Sequence, residues 1–164
     1  LLARTASCGA PILALDPAFA MMLRQEYRRA GITLPEVQMP QDFLKAEAAS
    51  GRRFPQAAVS RARLLGHCTE TSADPGSRRT WSVVFEALGV TLETPETGCC
   101  GMAGLFGHQE RHQAVSTQLF AASWTEAVAG DTHTAATGFS CRCQTKRLAD
   151  RNLMHPLGLI AELL

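Results

Sequence analysis

Short apolar runs and longer amphipathic ones take turns along this chain. Residues 11–16, Pro-Ile-Leu-Ala-Leu-Asp, read as a short buried strand. Asp16-Pro17 then has the form of an N-cap followed by proline at the first helical position. The helix so started carries Met22, Glu26 and Arg29 at helical spacing and stops at Gly31. "LPEVQMP" is proline-bracketed and extended, and "QDFLKAEAAS" predicts a second helix before the Gly51-Arg52-Arg53 break. Beyond residue 61 the alternation repeats. "ARLLGHC" reads as a strand ending at His67-Cys68, and "SRRTWSVVFEALG" as a helix with Trp81, Val84, Phe85 and Leu88 on one face, closed by Gly89. "VTLETPE" is a strand leading into a glycine-rich loop. Residues 108–130 predict one long helix with Val115, Leu119, Ala122 and Val128 as its apolar stripe. "THTAATGFSC" reads as a strand ending at Cys141, and "HPLGLIAELL" as a closing helix whose first turn follows His155-Pro156.

Strands alternating with helices predict an α/β fold: a small, mostly parallel sheet flanked by helices. The carboxyl ends of parallel strands share one edge, where sites usually form. Cys68, Cys99-Cys100 and Cys141 with Cys143 each follow a predicted strand, so the cysteine loops are expected to meet at that edge.

Composition narrows the chemistry. A net charge of +1 offers no basic field for nucleic acid and no acidic tail. Of the 16 basic residues all but Lys45 and Lys146 are arginine, which reflects genome composition better than a phosphate site. No run approaches transmembrane length, and "LLARTASCGAP" lacks the blocks of a signal peptide. The chain opens on Leu1, and the expectation is a piece of a longer polypeptide. Six cysteines without a secretory signal point to metal or redox chemistry in a reducing cytoplasm rather than to a disulfide framework. Peripheral attachment at the inner face of a membrane stays open.

The stretch "TGCCGMAGLFG" places two thiols side by side where glycine recurs at 98, 101, 104 and 107. Adjacent strand residues point to opposite faces, so Cys99 and Cys100 serve one site only within a turn. Gly98 and Gly101 permit that turn through positive φ and close backbone approach. The amides around Gly101 and Gly104, leading toward a helix, are then available to thiolates or cluster sulfides. Doubled thiols on bare backbone suit an anionic iron–sulfur cluster, with Cys68, Cys99, Cys100, Cys141 and Cys143 as ligands and Gly98, Gly101 and Gly104 as its backbone cradle. Zinc satisfies the same thiolates, and spacing alone does not choose between the metals. A third reading makes Cys100 a nucleophile with His67 or His108 as base. Cys8 reads as a small buried hydrophobe. His67 reads equally as a ligand, an outer hydrogen-bond donor or a structural residue. His108 and His112 are placed on a helix surface, and Arg142 as a cation that tunes the cluster.

Cys68, Cys99-Cys100-Gly101 and Cys141 with Cys143 resemble the cysteine-rich "CCG" domain of heterodisulfide reductase B subunits and FAD-linked 2-hydroxy-acid oxidases. "GHCTE", "TGCCGMAGLFGHQ", "GFSCRCQTKRL" and "HPLGLIAELL" are similar to the C-terminal end of large fused FAD/iron–sulfur dehydrogenases acting on D-lactate, glycolate or D-2-hydroxyglutarate. The resemblance covers about residues 62–164. "GAPILALDPAFAMMLRQEY" resembles the end of a preceding repeat, which divides the chain into 1–60, the tail of one CCG-type repeat, and 61–164, the C-terminal one. It implies an electron-transfer module holding a 4Fe-4S-type cluster. FAD would sit in an upstream domain that oxidises the hydroxy acid, and a quinone or other acceptor would receive the electrons. Alone, this stretch is expected to oxidise nothing. Cys141-Arg142-Cys143 departs from the Cys-x-x-Cys usual at this place, and Phe19 stands where the preceding repeat often carries a cysteine.

Overall fold

A computed structural model describes residues 9–130 and 132–164 of the chain, so Cys8 lies outside the described residues. Strand β1 (Ile12–Leu13) pairs in parallel with β2 (Val37–Gln38). Between them runs α1, which starts at Pro17–Met21, passes through a π-helical stretch at Met22–Glu26 and finishes at Tyr27–Arg29. Asp16 caps it as the sequence predicts, its Oδ1 accepting from the Phe19 amide at 3.1 Å. The second helix, α2 (Pro40–Ala49), also opens on proline. Ala14, Ala20, Leu23, Val37 and Met39 form a small core of their own.

The main sheet has three parallel strands in the order β4 (Thr91–Glu93), β3 (Arg61–Leu65), β5 (Thr134–Ala136). The expected α/β class with a small parallel sheet and flanking helices is therefore what the chain adopts. Alternation along the strands divides the core in two. Ala62, Leu64 and Ala135 face helix α4 (Ser77–Ala87) and helix α7 (Pro156–Leu163), meeting Trp81, Val84, Phe85, Leu88, Leu159 and Leu163. The apolar face assigned to α4 from the sequence is the buried one. Leu65 and Ala136 face the other way, toward Cys100, Met102, Phe120, Trp124 and Cys141.

Three expectations are corrected on that second face. Residues 108–130 are not one helix: 3₁₀ turns at Phe106–His108 and Glu110–His112 precede α5 (Gln113–Ser123), and turns follow it. Its buried line runs through Ser116, Phe120, Trp124 and Val128, whereas Val115 and Leu119 are 49% and 41% exposed and Ala122 is exposed. The predicted strand reaching Cys141 stops at Ala136, and Cys141 and Cys143 sit inside α6 (Phe139–Ala149). Among the described residues no helix is long and apolar enough to cross a membrane.

Candidate functional site

Because all three strands run the same way, the segments leaving them emerge at one edge. After β3 come Gly66, His67 and Cys68, the last being the first residue of helix α3 (Cys68–Ala73). The long connection after β4 brings Cys99 and Cys100, and α6 follows β5 with Cys141 and Cys143. Cys68, Cys99, Cys100 and Cys143 line one open cleft of about 690 Å³, with His67 and Ser140. Phe19, Leu105 and Phe139 stand at its walls, Leu105 and Phe139 being 74% and 64% exposed. A hollow of about 740 Å³ beside Arg24 and Arg28 bears no thiol, and the Arg24 guanidinium there is engaged by the Val37 carbonyl and Asp42.

The cysteine loop is held by hydrogen bonds because its carbonyls are withdrawn from water. Trp124 Nε1 donates to Gly98 O at 3.0 Å, Ser123 Oγ to Cys99 O at 3.3 Å and Ser116 Oγ to Gly101 O at 2.8 Å. Gln144 Nε2 donates to Ser116 Oγ at 2.8 Å, and Arg147 Nη1 to Gly107 O at 2.6 Å. Buried Ser116 and Gln144 are thus the loop's supports. Gly101 has φ +86° and lies so close to α5 that a Cβ would stand 2.2 Å from Ser116 O, so only glycine fits. The turn expected at the doubled cysteines is there, but Gly98 is not in the positive-φ region; it contributes close approach to Ser123. Gly104 has positive φ and faces open space.

All five described cysteines are free thiols. In a helix, residues two apart do not share a face. Cys141 accordingly enters the core, 1% exposed, while Cys143 borders the cleft. The Gly101 amide donates to Cys99 Sγ at 3.3 Å, yet burial pushes the Cys99 thiol up, with Cys68 and Cys100 close enough to add to the rise. Cys141 gives a hydrogen bond to Cys100 and pulls that thiol down to about 7, against burial and with help from the Met102 amide. Donating that bond, together with burial, drives Cys141 upward. Sulfurs from three distant segments are therefore near enough to perturb one another's ionisation. Among the described residues no three His, Cys, Asp or Glu side chains are drawn together tightly enough to hold a single ion. The donor set fits a thiophilic centre: soft sulfur from three sides, with the Gly101 amide aimed at the Cys99 sulfur.

Several supporting residues carried no distinctive sequence signal. Glu70 is 2% exposed and accepts from Gln41, Ser77 and Thr137, tying α2, α3, α4 and the end of β5 together. Burial raises its pKa, and the hydrogen bonds from Ser77 and Thr137 oppose the rise. Asp16, legible as a cap for α1, also accepts from the Phe139 amide through Oδ2 at 3.1 Å and so starts α6 as well. Arg142 does not point at the sulfurs: its Nη1 donates to Ala136 O and Thr137 O at 2.8 and 2.9 Å. His108 and His112 lie in 3₁₀ turns rather than on one helix, and His112 stacks on Phe106 with ring centroids 4.1 Å apart.

The chain is similar to a segment of D-2-hydroxyglutarate dehydrogenases. It is 41% identical over 165 residues to the enzyme of that name from Pseudomonas putida, covering 96% of this chain and 16% of the relative. The Escherichia coli enzyme is 35% identical over 168 residues, and the Haemophilus influenzae enzyme 35% over 176. These alignments cover 98% of this chain and 16% and 17% of those relatives, so the chain spans about a sixth of their length. No protein-family model matches the chain, and no solved structure does.

Proposed function

We propose that this chain is the cysteine-rich electron-transfer part of an FAD- and iron–sulfur-dependent dehydrogenase acting on D-2-hydroxyglutarate. The observation that supports the reading is that Cys68, Cys99, Cys100 and Cys143 line one cleft, with Cys141 buried in the core beside Cys100, in a chain that resembles dehydrogenases of that name over nearly its whole length. Cys68, Cys99, Cys100 and Cys143 hold the centre from the cleft side, and Cys141 from beneath through its pairing with Cys100. Gly98, Gly101 and Gly104 let the backbone approach the sulfurs. Bound there, a 4Fe-4S-type cluster supplies one-electron transfer. The chain's own part is to bring the sulfurs together and fix their spacing. In this reading residues 61–164 are a CCG-type domain and 1–60 the tail of a preceding one, which agrees with the separate small core around β1 and β2. A flavin domain elsewhere in the polypeptide oxidises the hydroxy acid, and a quinone or other acceptor takes the electrons.

Anaerobic purification, followed by reconstitution with iron and sulfide, tests this. Bound iron and sulfide, broad visible absorption and an EPR signal on reduction are expected. A colourless protein that takes up stoichiometric zinc and no iron would replace the reading with a structural zinc-binding module. A metal-free fold in which one cysteine alone is alkylated, with loss of an activity, would replace it with a thiol nucleophile.

A further inference from the structure

The cysteine cleft opens between apolar side chains that the fold holds out of its core. Phe19, Leu105 and Phe139 are 48%, 74% and 64% exposed, and they come from α1, the cysteine loop and α6. A single exposed apolar residue is ordinary, but three large ones around one opening call for a reason. Each is fixed in place. Both oxygens of Asp16 are engaged, Oδ1 by the Phe19 amide and Oδ2 by the Phe139 amide, each at 3.1 Å. One carboxylate thus pins the two phenylalanine-bearing turns together. The Arg142 guanidinium stands 5.8 Å from the Phe139 ring centroid while its Nη1 donates to Ala136 O and Thr137 O, which braces that ring. Leu105 follows two consecutive left-handed residues, Ala103 at φ +41° and Gly104 at φ +64°. Alanine rarely adopts that conformation. The turn is locked by the Phe106 amide donating to Ala103 O at 3.2 Å and the Gly107 amide to Met102 O at 2.8 Å. A rim that is rigid beforehand loses little freedom on being covered.

We propose that this rim is a docking face whose occupant is another part of the same dehydrogenase polypeptide, seated over the cleft. The choice of occupant rests on the reading of the chain as the electron-transfer part of such an enzyme. Three observations favour it. The chain spans about a sixth of its relatives' length, so a polypeptide of that length has about five-sixths of its residues elsewhere to supply the partner. No lysine, arginine or glutamate lines the cleft, and Asp16 is already engaged by two amides. Aromatic groups without charge are the composition of an interface centre, whereas an anionic lipid surface calls for cations. The rim also surrounds the opening that Cys68, Cys99 and Cys143 line. A segment seated on it closes that opening and comes close to the sulfurs.

The test is made in the full-length polypeptide. Leu105→benzoylphenylalanine and Phe139→benzoylphenylalanine place a photoreactive group at the two most exposed rim positions. Irradiation is expected to give products of monomer mass in which both positions are joined to peptides from outside residues 1–164. Products of dimer mass make the occupant a second copy, and lipid adducts make it a membrane. Cross-links that are absent, or confined to residues 1–164, leave the rim bare. Each of these three outcomes overturns the proposal. A second measurement uses the third rim position. Leu105→Asp and Phe139→Asp put carboxylates where residues 1–164 leave them in solvent, so only a covering apolar segment makes them costly. Adding both is expected to lower the cross-link yield from Phe19→benzoylphenylalanine by roughly tenfold or more. An undiminished yield overturns the docking face. A full-length protein that takes up no iron would overturn the cluster reading alone, because the cross-links are read without metal and still decide the docking.

Discussion

Replacing Gly138 by alanine adds one methyl group at the closest approach between β5, α6 and His67. The residue has φ −78° and ψ 131°, ordinary extended backbone. Were the site open, Gly138→Ala would stabilise the fold by about 0.4–1 kcal/mol, because the unfolded chain loses freedom. The structure predicts the opposite sign. Carbon atoms pack at about 3.5–4.0 Å, whereas the new Cβ would stand 2.3 Å from His67 Cδ2 and 2.9 Å from Cys141 Sγ. The ring is trapped between the α3 cap and Ser140, so relief requires α6 to move, and overpacking of this kind costs about 1–3 kcal/mol. For a chain of this size that lowers the melting temperature by roughly 2–12 °C. Thermal and urea unfolding of the metal-free protein measure the loss. Mass spectrometry after brief alkylation is expected to show Cys141, 1% exposed in the native fold, labelled faster. Gly104→Ala is the contrasting control: its Cβ meets nothing within 4 Å, so only the φ of +64° is strained, and Cys141 labelling is unchanged. A Gly138→Ala protein as stable as wild type, or more so, would refute the account of this junction.

Glu70→Gln turns one acceptor of the buried carboxylate into a donor facing Ser77 or Thr137, and is expected to cost about 1–3 kcal/mol in urea unfolding. An unchanged midpoint would mean the network does not join these helices. His155 caps α7 through Nδ1, and burial lowers its pKa from 6.5 to about 4. Between those values the unfolded chain takes up the proton first, so stability present above pH 6.5 drains away as pH falls through the folded pKa. The gap corresponds to about 3 kcal/mol, reduced to roughly 2 because the ring is partly exposed. His155→Asn keeps a cap and is expected to flatten the dependence of the urea midpoint between pH 7 and pH 4, whereas an identical slope would contradict it. Trp124→Phe removes the N–H that holds Gly98 O, and is expected to cost about 1 kcal/mol and to weaken iron retention after reconstitution.

Much of this was written locally. Trp81, Val84, Phe85 and Leu88 recur at helical spacing and do face the sheet, because one apolar stripe on a polar helix has only one low-energy placement. Asp16-Pro17 starts α1 for reasons contained in those two residues. Helix α6 was not legible, and the reason is physical. Its buried residues are Cys141, Gln144 and Thr145, so no apolar stripe announces it, and nothing local separates it from the strand before it. The same cause misdirected the long helix. The line through Ser116 is buried because the cysteine loop requires donors there, while the more apolar line through Val115 and Leu119 faces outward.

By itself the sequence determined the alternation of strands and helices and the placing of cysteines after three strands, since both follow from local pattern and chain order. Which thiol enters the core and which borders the cleft, what the His67 ring packs against, and why Gly101 and Gly138 admit no side chain were decided only by the tertiary structure. Those properties depend on distances between segments up to 123 residues apart, as between Asp16 and Phe139, and no local pattern encodes such a distance.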